Sequence, residues 1–259
     1  MSRAGARIRA QDMPAAATQT ATYDPSRTLY SLHVPKTAGT SFRHDLERWF
    51  GAENMGYHYH GYHREPPPRF EPRAGLCVHG HFNRLRGIGV RRYYPEASQF
   101  IVFLRDPFDR FVSNWRYLQF QVRDGFRVPE LDDNPTFAGW LDRRRRAAEE
   151  GEDPFSYLAQ LPDPVDPARA GEAFGSEFVG VGIAERYAES MRMFAAALGK
   201  PAPEGVTRLN TRTDPHREGE THEDLSAYRA EYEAAFPLEY AVYRAGLARL
   251  ERDLQRLGA

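Results

Sequence analysis

Residues 33–42, HVPKTAGTSF, decide the fold of this chain because they join a predicted strand to a predicted helix. The apolar run at 28–32 before them is typical of a buried strand, and Phe42, Leu46 and Trp49 recur at helical spacing. The loop between strand and helix holds one lysine, one glycine and three hydroxyl side chains. Backbone N–H groups at a helix N-terminus are unpaired and carry partial positive charge, so an anion is stabilised there. The segment therefore predicts a phosphate-binding loop.

The order of residues in this loop indicates which phosphate compound to expect. Lys36 comes before Gly39, whereas the GxxxxGK[ST] loop that binds nucleoside triphosphates places its lysine after the glycine. The chain has one other lysine, Lys200, among 35 basic residues, so a lysine in this loop calls for a chemical explanation. Taken alone, the segment also fits an ordinary strand–helix turn, with Thr40 or Ser41 as the N-cap and the lysine in solvent.

A second strand–helix junction follows at residues 100–113. The run FIVFL predicts a buried strand that ends at Arg105, and Pro107 suits the first turn of a helix because it lacks an N–H. Arg105 and Ser113, about two turns into the helix, are placed to hold a second phosphate. The alternative is an ion pair between Arg105 and a nearby aspartate, although Asp106 is expected to cap the helix.

Residues 35–42, PKTAGTSF, and 105–113, RDPFDRFVS, resemble the two nucleotide-binding signatures of sulfotransferases that use PAPS, 3′-phosphoadenosine 5′-phosphosulfate. The first resembles the loop that holds the 5′-phosphosulfate, and the second resembles the element that holds the 3′-phosphate. The resemblance is strongest to the carbohydrate type that includes the uronosyl (heparan sulfate) 2-O-sulfotransferases. Residues 78–82, VHGHF, are similar to the HGH segment of that branch, and 178–185, FVGVGIAE, to a later strand–Gly–Glu segment.

The resemblance implies both a fold and a reaction. The fold would be an α/β structure of the P-loop-NTPase-like type, a parallel sheet flanked by helices. The reaction would be in-line transfer of a sulfuryl group from PAPS to a hydroxyl on a carbohydrate, with no metal required. His81 would act as general base, and Lys36 would stabilise the leaving phosphate. The residues that the resemblance assigns to the nucleotide are Pro35, Lys36, Thr37, Ala38, Gly39, Thr40, Ser41, Arg105 and Ser113.

The chemistry of histidine agrees with the role of a base. Its pKa near ~6.5 lets it accept a proton at neutral pH, and such a base typically contributes ~10²–10⁴-fold to the rate. His81 could instead be a strand-end histidine bonded to a backbone carbonyl, and His79 is expected to have a structural or supporting part. The 2-O-sulfotransferase branch carries an arginine three residues before the loop lysine, where this chain has His33. That difference weakens the case for a heparan-type acceptor.

The alternation of apolar runs and turns predicts one domain at 27–259 with loop-rich insertions near 52–75 and 121–170. The leading segment, 1–26, is expected to be disordered or to drape over the domain. Strands are predicted near 28–33, 76–80, 100–105, 177–182 and 206–210. Helices are predicted near 40–50, 107–120, 185–198, 223–235 and 237–256.

Three of the candidate residues each follow the carboxyl end of a predicted strand. They are Lys36, His81 and Arg105. Ligands of open α/β sheets gather at the carboxyl ends of the strands. The three residues are therefore expected to converge on one crevice, which is stronger evidence for a site than any single motif.

Composition narrows the class of protein. A net charge of −1 argues against a nucleic-acid-binding protein. No apolar run approaches the ~18–20 residues of a membrane span. The single cysteine, Cys77, excludes an intrachain disulfide and fits a reducing compartment. A soluble cytoplasmic protein of bacterial origin is expected, and its oligomeric state is open.

Other functions remain open from the sequence alone. A Mg-ATP-dependent small-molecule or sugar kinase could use a related fold, but the GxxxxGK[ST] loop and an evident carboxylate at a strand end are both missing from the sequence. A sulfotransferase acting on tyrosine or a small alcohol would share the same nucleotide site. A non-catalytic carbohydrate-binding protein would retain a degenerate one.

Two further clusters each have several interpretations. His58, His60 and His63 could bind a metal, line the acceptor site together with the neighbouring tyrosines, or lie in an ordinary surface loop, which is favoured. The four arginines at 143–146 could attract an anionic polysaccharide, but a solvated helix with i,i+4 ion pairs is favoured.

Overall fold

The structure, a computed structural model, describes residues 21–60, 65–132, 136–165, 169, 172–202 and 223–258. Within these residues, one parallel sheet of five strands has the order β2-β3-β1-β4-β5. The strands are β1 Leu29–Leu32, β2 Met55–His58, β3 Cys77–Gly80, β4 Phe100–Leu104 and β5 Phe178–Ile183. Parallel neighbours need crossover connections, and helices supply most of them.

The helices are α1 Gly39–Phe50, α2 Val90–Tyr93, α3 Pro107–Arg123, α4 Pro129–Asp132, α5 Phe137–Glu149, α6 Tyr157–Gln160, α7 Tyr187–Leu198, α8 Arg229–Ala235 and α9 Pro237–Gly258. Short 3₁₀ turns lie at Ala52–Asn54, Ala184–Arg186 and Ser226–Tyr228. Among the helices described, none is long and apolar enough to cross a membrane.

The sheet is buried on both faces, as parallel sheets usually are. Every residue of β1, β3, β4 and β5 is buried, and α7 and α9 pack on β5. Phe103 of β4 stacks on Tyr187 and meets Phe42 of α1 edge to face, with ring centroids 5.1 and 4.8 Å away. A second apolar cluster joins α3, α5 and α8, where Phe111 stacks on Trp140 at 4.0 Å. The first cluster packs the strands against the helices, and the second packs helices that follow β4 against one another.

The predicted fold class, a parallel α/β sheet flanked by helices, is confirmed. Four predicted strands correspond to β1, β3, β4 and β5, and the strand predicted at 206–210 lies outside the described residues. Four predicted helices correspond to α1, α3, α7 and α9. The helix predicted at 223–235 is shorter than expected, because a 3₁₀ turn precedes the α-helix, which begins at Arg229.

The regions predicted to be loop-rich contain regular structure. β2 lies within 52–75, where no clear sheet element was expected. It pairs with β3 through its backbone, with Met55 opposite Cys77, although the sequence MGYH has little apolar periodicity. Helices α4, α5 and α6 lie within 121–170. Thr136 caps α5, since its hydroxyl accepts the N–H of Gly139 at 3.2 Å.

Candidate active site

The loops that follow β3, β1 and β4 lie side by side at the carboxyl edge of the sheet, because these three strands are adjacent. Two hydrogen bonds join them directly. Nδ1 of His81 lies 2.8 Å from the carbonyl oxygen of His33. The guanidinium group of Arg105 donates to the carbonyl oxygen of Lys36 at 3.3 Å. The structure therefore brings the segments of Lys36, His81 and Arg105 together.

The loop between β1 and α1 has an unusual backbone. Lys36 and Ala38 both have a φ of 68°, in the left-handed region that residues other than glycine seldom adopt. Such strain persists only where surrounding contacts maintain it, and it clusters at ligand-binding sites. Thr37 is buried, and its hydroxyl donates to the Val34 carbonyl oxygen at 2.8 Å. The loop is therefore held in one conformation at the start of α1.

Helix α1 begins at Gly39, and Ala38 is its N-cap. The expectation that Thr40 or Ser41 is the N-cap is wrong, since both lie inside the helix and Ala38 forms no side-chain cap hydrogen bond. The first N–H groups of an α-helix have no partner within the helix, and they carry the positive end of its dipole. They lie next to the loops at the carboxyl edge of the sheet, where an anion would satisfy them.

The side chain of His33 explains why position 39 holds glycine. A Cβ atom added to Gly39 would lie 1.8 Å from Nε2 of His33, far inside van der Waals contact. Nδ1 of His33 lies 2.7 Å from the Tyr59 hydroxyl, and the ring stacks on both His79 and His81, at centroid distances of 5.0 and 4.4 Å. Gly39 thus makes room for a stack of three histidines.

The His81 ring is bonded as a neutral base requires. A carbonyl oxygen only accepts hydrogen bonds, so the contact with the His33 carbonyl places a proton on Nδ1. Burial lowers the pKa of His81 below the usual value for histidine. At neutral pH the ring is therefore neutral, with its lone pair on Nε2. The alternative interpretation of His81, a strand-end histidine bonded to a backbone carbonyl, also expects this hydrogen bond. The bond uses only Nδ1, however, and Nε2 can still accept a proton.

The other two histidines of the stack are uncharged as well. His79 is fully buried, its Nδ1 lies 2.9 Å from the Ser31 hydroxyl, and burial lowers its pKa to about 3. Burial and the two neighbouring histidines lower the pKa of His33 well below its usual value. A neutral imidazole therefore stands where the 2-O-sulfotransferase branch has a charged arginine.

Lys36 is directed toward α3. Its Nζ atom lies 4.3 Å from the centroid of the Tyr117 ring, which is a cation–π distance. Tyr117 comes four residues after Ser113, and residues four apart share one face of a helix. Ser113 therefore shares the face of α3 that carries Tyr117.

Arg105 is not paired with the aspartates next to it in the sequence. Within the described structure, its ion-pair partner is Glu185, with 3.9 Å between Nε and Oε1, whereas Asp106 and Asp109 bind Arg229. Asp106 also accepts the N–H of Asp109 at 2.9 Å and caps α3, as predicted. The alternative ion pair for Arg105 is therefore wrong.

His58 and His60 lie in different surroundings. His58 ends β2, is fully buried and stacks on Phe82 at 4.4 Å, and burial lowers its pKa to about 4. His60 is exposed, and His63 lies outside the described residues. The favoured interpretation, a surface loop, is therefore wrong for His58. No group of three potential metal ligands occurs in the part of the chain that the structure describes.

A buried ionic network behind the crevice was not predicted. Arg110 is fully buried and donates to the Pro35 carbonyl oxygen and to Glu239, at 3.2 Å in each case. Arg144 is also buried and pairs with Glu239 and, at 3.0 Å, with Asp153. The favoured interpretation of the four arginines at 143–146 as part of a solvated helix is therefore wrong for Arg144.

The spacing of the apolar residues along α5 indicates that Arg144 is buried. Phe137, Trp140 and Leu141 form its buried face, and position 144 continues that face at helical spacing. A buried arginine needs carboxylate partners, because an unpaired buried charge is strongly destabilising. Glu239 lies 95 residues from Arg144, so the pattern alone did not identify it, whereas Asp153 is only nine residues away.

The family model described as "Sulfotransferase family" matches residues 19–237. This chain belongs to the sulfotransferase family. The matched range contains residues 35–42, 78–82 and 105–113, on which the resemblance rests. It identifies the sulfotransferase family without distinguishing its carbohydrate branch. No curated protein matches the sequence significantly.

Two solved sulfotransferase structures are similar to this one. One is a sulfotransferase from Alicyclobacillus acidocaldarius, with 17% identity, a TM-score of 0.44, and coverage of 85% of this chain and 96% of that chain. The other is mouse sulfotransferase SULT7A1 complexed with PAP, with 14% identity, a TM-score of 0.42, and coverage of 68% of this chain. This chain spans 59% of the length of the mouse protein.

Proposed function

We propose that this protein transfers a sulfuryl group from PAPS to a hydroxyl group of a carbohydrate. The observation that carries the proposal is the joining of three strand-end segments, those of Lys36, His81 and Arg105, by direct hydrogen bonds at one edge of the sheet. Each segment offers something that the reaction needs. Membership of the sulfotransferase family favours sulfuryl transfer over phosphoryl transfer by a kinase and over a non-catalytic role.

Two anion sites suit the two phosphate-bearing ends of PAPS. Residues 35–41 and the N-terminus of α1 would hold the 5′-phosphosulfate through backbone N–H groups and hydroxyls. Arg105 and Ser113 would hold the 3′-phosphate, which suits the planar fork of a guanidinium group. The 3′-phosphate is what separates PAPS from ATP. The proposal therefore makes Arg105 the residue that selects the nucleotide.

His81 serves as the general base through Nε2. The lone pair on Nε2 takes the proton of the acceptor hydroxyl while the acceptor oxygen forms its bond to sulfur. Nδ1 keeps its proton and its bond to the His33 carbonyl, which orients the ring and stabilises the imidazolium that forms. The lowered pKa of His81 keeps the ring neutral before the reaction begins.

Lys36 stabilises the departing phosphate oxygen. Negative charge builds on that oxygen as its bond to sulfur breaks, and a nearby ammonium group lowers the energy of this state. The contact of Nζ with the Tyr117 ring keeps the ammonium group on the side of the loop that faces α3. The products are the sulfated acceptor and adenosine 3′,5′-bisphosphate, and the proton passes from His81 to solvent.

The surroundings of His81 favour a sugar as the acceptor. The Tyr59 ring meets the His81 ring edge to face at 4.9 Å, and an aromatic wall with a few polar groups is typical of small-molecule sites. The neutral state of His33 removes the positive charge that an acidic sugar would use at this position. We therefore favour a sugar recognised through its hydroxyl groups over a heparan-type acceptor.

A transfer assay tests the proposal. The protein is incubated with PAPS and, separately, neutral oligosaccharides, heparan-type oligosaccharides, a tyrosine-containing peptide and small alcohols, and products are identified by mass spectrometry. Sulfation of a neutral oligosaccharide that is lost in His81→Ala supports the proposal. Sulfation of only the peptide or an alcohol contradicts the carbohydrate acceptor. Phosphorylation from Mg-ATP in place of sulfation contradicts the reaction itself.

A further inference from the structure

A buried tyrosine supports the backbone of Arg105. Tyr157 is the first residue of α6 and is fully buried. Its hydroxyl accepts a hydrogen bond from the Arg105 N–H at 3.0 Å and donates one to the Arg105 carbonyl oxygen. β4 ends at Leu104, so the tyrosine takes over where strand pairing stops. Burial raises the pKa of Tyr157 to about 12, so the hydroxyl keeps its proton and can both donate and accept.

The segment that carries Tyr157 is fixed from behind by α9. Glu239 is buried and accepts hydrogen bonds from the Tyr157 N–H at 2.9 Å and from the Ser156 hydroxyl at 2.6 Å. The guanidinium carbon of Arg110 lies 4.2 Å from the centroid of the Tyr157 ring, and its Nη1 binds the same carboxylate. The backbone, ring and hydroxyl of the tyrosine are thus all held.

The same group of residues reaches the phosphate loop. Arg110 donates to the Pro35 carbonyl oxygen at 3.2 Å, and Arg105 donates to the Lys36 carbonyl oxygen at 3.3 Å. These bonds hold the loop at or beside Lys36 and Ala38, the two residues with left-handed backbone conformation. Contacts with surrounding residues maintain such a strained conformation. Tyr157 contacts both arginines and connects the two anion sites from behind.

We propose that Tyr157 is a positioning residue that fixes the backbone of Arg105 and so directs its guanidinium group at the 3′-phosphate of the donor nucleotide. This inference rests on the proposed function of Arg105. It gives the segment around α6, which the sequence places in a loop-rich insertion, a part in nucleotide selection. The tyrosine acts through Arg105 and does not touch the ligand.

Tyr157→Phe tests the inference because it removes the hydroxyl and keeps the buried ring. We expect affinity for adenosine 3′,5′-bisphosphate to fall about tenfold, the usual effect of losing a hydrogen bond or two. Affinity for adenosine 5′-monophosphate, which lacks the 3′-phosphate, should stay near the wild-type value. Both affinities are measured by titration calorimetry. Tyr187→Phe is the matched control, since it removes another buried hydroxyl, one that donates to Asp45 at 2.7 Å.

The ratio of the two affinities separates positioning from a merely structural role. If Tyr157 were merely structural, Tyr157→Phe would lower the Tm, as Tyr187→Phe should, and would leave the ratio of the two nucleotide affinities unchanged. An unchanged ratio in folded Tyr157→Phe therefore overturns the inference. If that variant does not fold, Ser156→Ala loosens the same segment from a half-buried position. Ser156→Ala should change the ratio of the two nucleotide affinities about threefold, in the direction expected for Tyr157→Phe. An unchanged ratio in Ser156→Ala overturns the inference. A wild-type protein that binds neither nucleotide contradicts the proposed function instead.

Discussion

The proposed role of His81 as a base depends on a single hydrogen bond. Because the His33 carbonyl holds the proton of Nδ1, only Nε2 can act as the base. Because burial lowers the pKa of His81, that nitrogen carries no proton at neutral pH. The rate of transfer should therefore be flat near neutral pH and fall at acid pH, once His81 becomes protonated.

Removal of this imidazole tests the assignment. We expect His81→Ala to slow transfer by ~10²–10⁴-fold, the usual contribution of a general base. Its affinity for adenosine 3′,5′-bisphosphate should stay close to wild type, because the ring serves the acceptor. His44→Ala, which removes an exposed histidine of α1, is the control and should retain full activity. Near-wild-type turnover of His81→Ala would rule out the base.

Arg105 has a different test, because its proposed partner is one particular phosphate. Arg105→Ala should weaken binding of adenosine 3′,5′-bisphosphate by about 10–100-fold, as expected for charge-assisted hydrogen bonds. Binding of adenosine 5′-monophosphate should change little. Arg229→Ala removes a nearby arginine that pairs with Asp106 and Asp109, and it serves as the control. Equal losses for both nucleotides in Arg105→Ala would refute its role.

At the scale of elements, the β1–α1 loop and the histidine stack depend on each other. Gly39→Ala would place a Cβ atom 1.8 Å from Nε2 of His33 and push that ring away from His79 and His81. We expect this variant to lose about 1–3 kcal/mol in the free energy of unfolding, as overpacked sites do. Transfer should also slow, because the His33 carbonyl orients His81.

A double substitution shows whether the histidine is the cause of this loss. His33→Ala in the Gly39→Ala background removes the clash and should restore much of the free energy of unfolding, measured by urea denaturation. The same loss with and without His33 would show that position 39 needs glycine for another reason.

For the whole molecule, buried histidines make stability depend on pH. Burial lowers the pKa of His58 to about 4 and that of His79 to about 3, whereas the unfolded chain has histidine pKa values near ~6.5. Between these values the unfolded state binds more protons than the folded state. The free energy of unfolding should therefore fall as pH drops from ~6.5 to ~4, by up to ~1.4 kcal/mol per pH unit for each histidine.

Urea denaturation at a series of pH values from about 7 to 4.5 measures this slope. His58→Phe keeps the ring stacked on Phe82 but cannot be protonated, so its slope should be smaller than that of the wild type. His44→Ala, which removes an exposed histidine of α1, is measured alongside as a comparison. An equal slope in His58→Phe and wild type would show that His58 is not a source of the acid sensitivity.

Sequence reasoning succeeded where the signal is local. Apolar runs and helical spacing around 33–42 and 100–113 predicted the central strands β1 and β4 and the helices α1 and α3 that follow them. The edge strand β2 was missed because its pairing depends on the backbone of β3 and leaves little periodicity in MGYH. The supports of the site were missed because Glu239 lies 129 residues from Arg110, and Tyr157 lies 52 residues from Arg105. Only the fold brings such partners together.

The central claim is that the crevice binds a nucleotide with a 3′-phosphate. Titration calorimetry of the wild-type protein with adenosine 3′,5′-bisphosphate, ATP with Mg²⁺ and adenosine 5′-monophosphate tests it most directly. We expect the bisphosphate to bind tightest, with an affinity that does not depend on Mg²⁺, because Arg105 and the α1 N-terminus provide positive charge and Ser113 provides a hydroxyl donor. A preference for ATP with Mg²⁺ would contradict the claim.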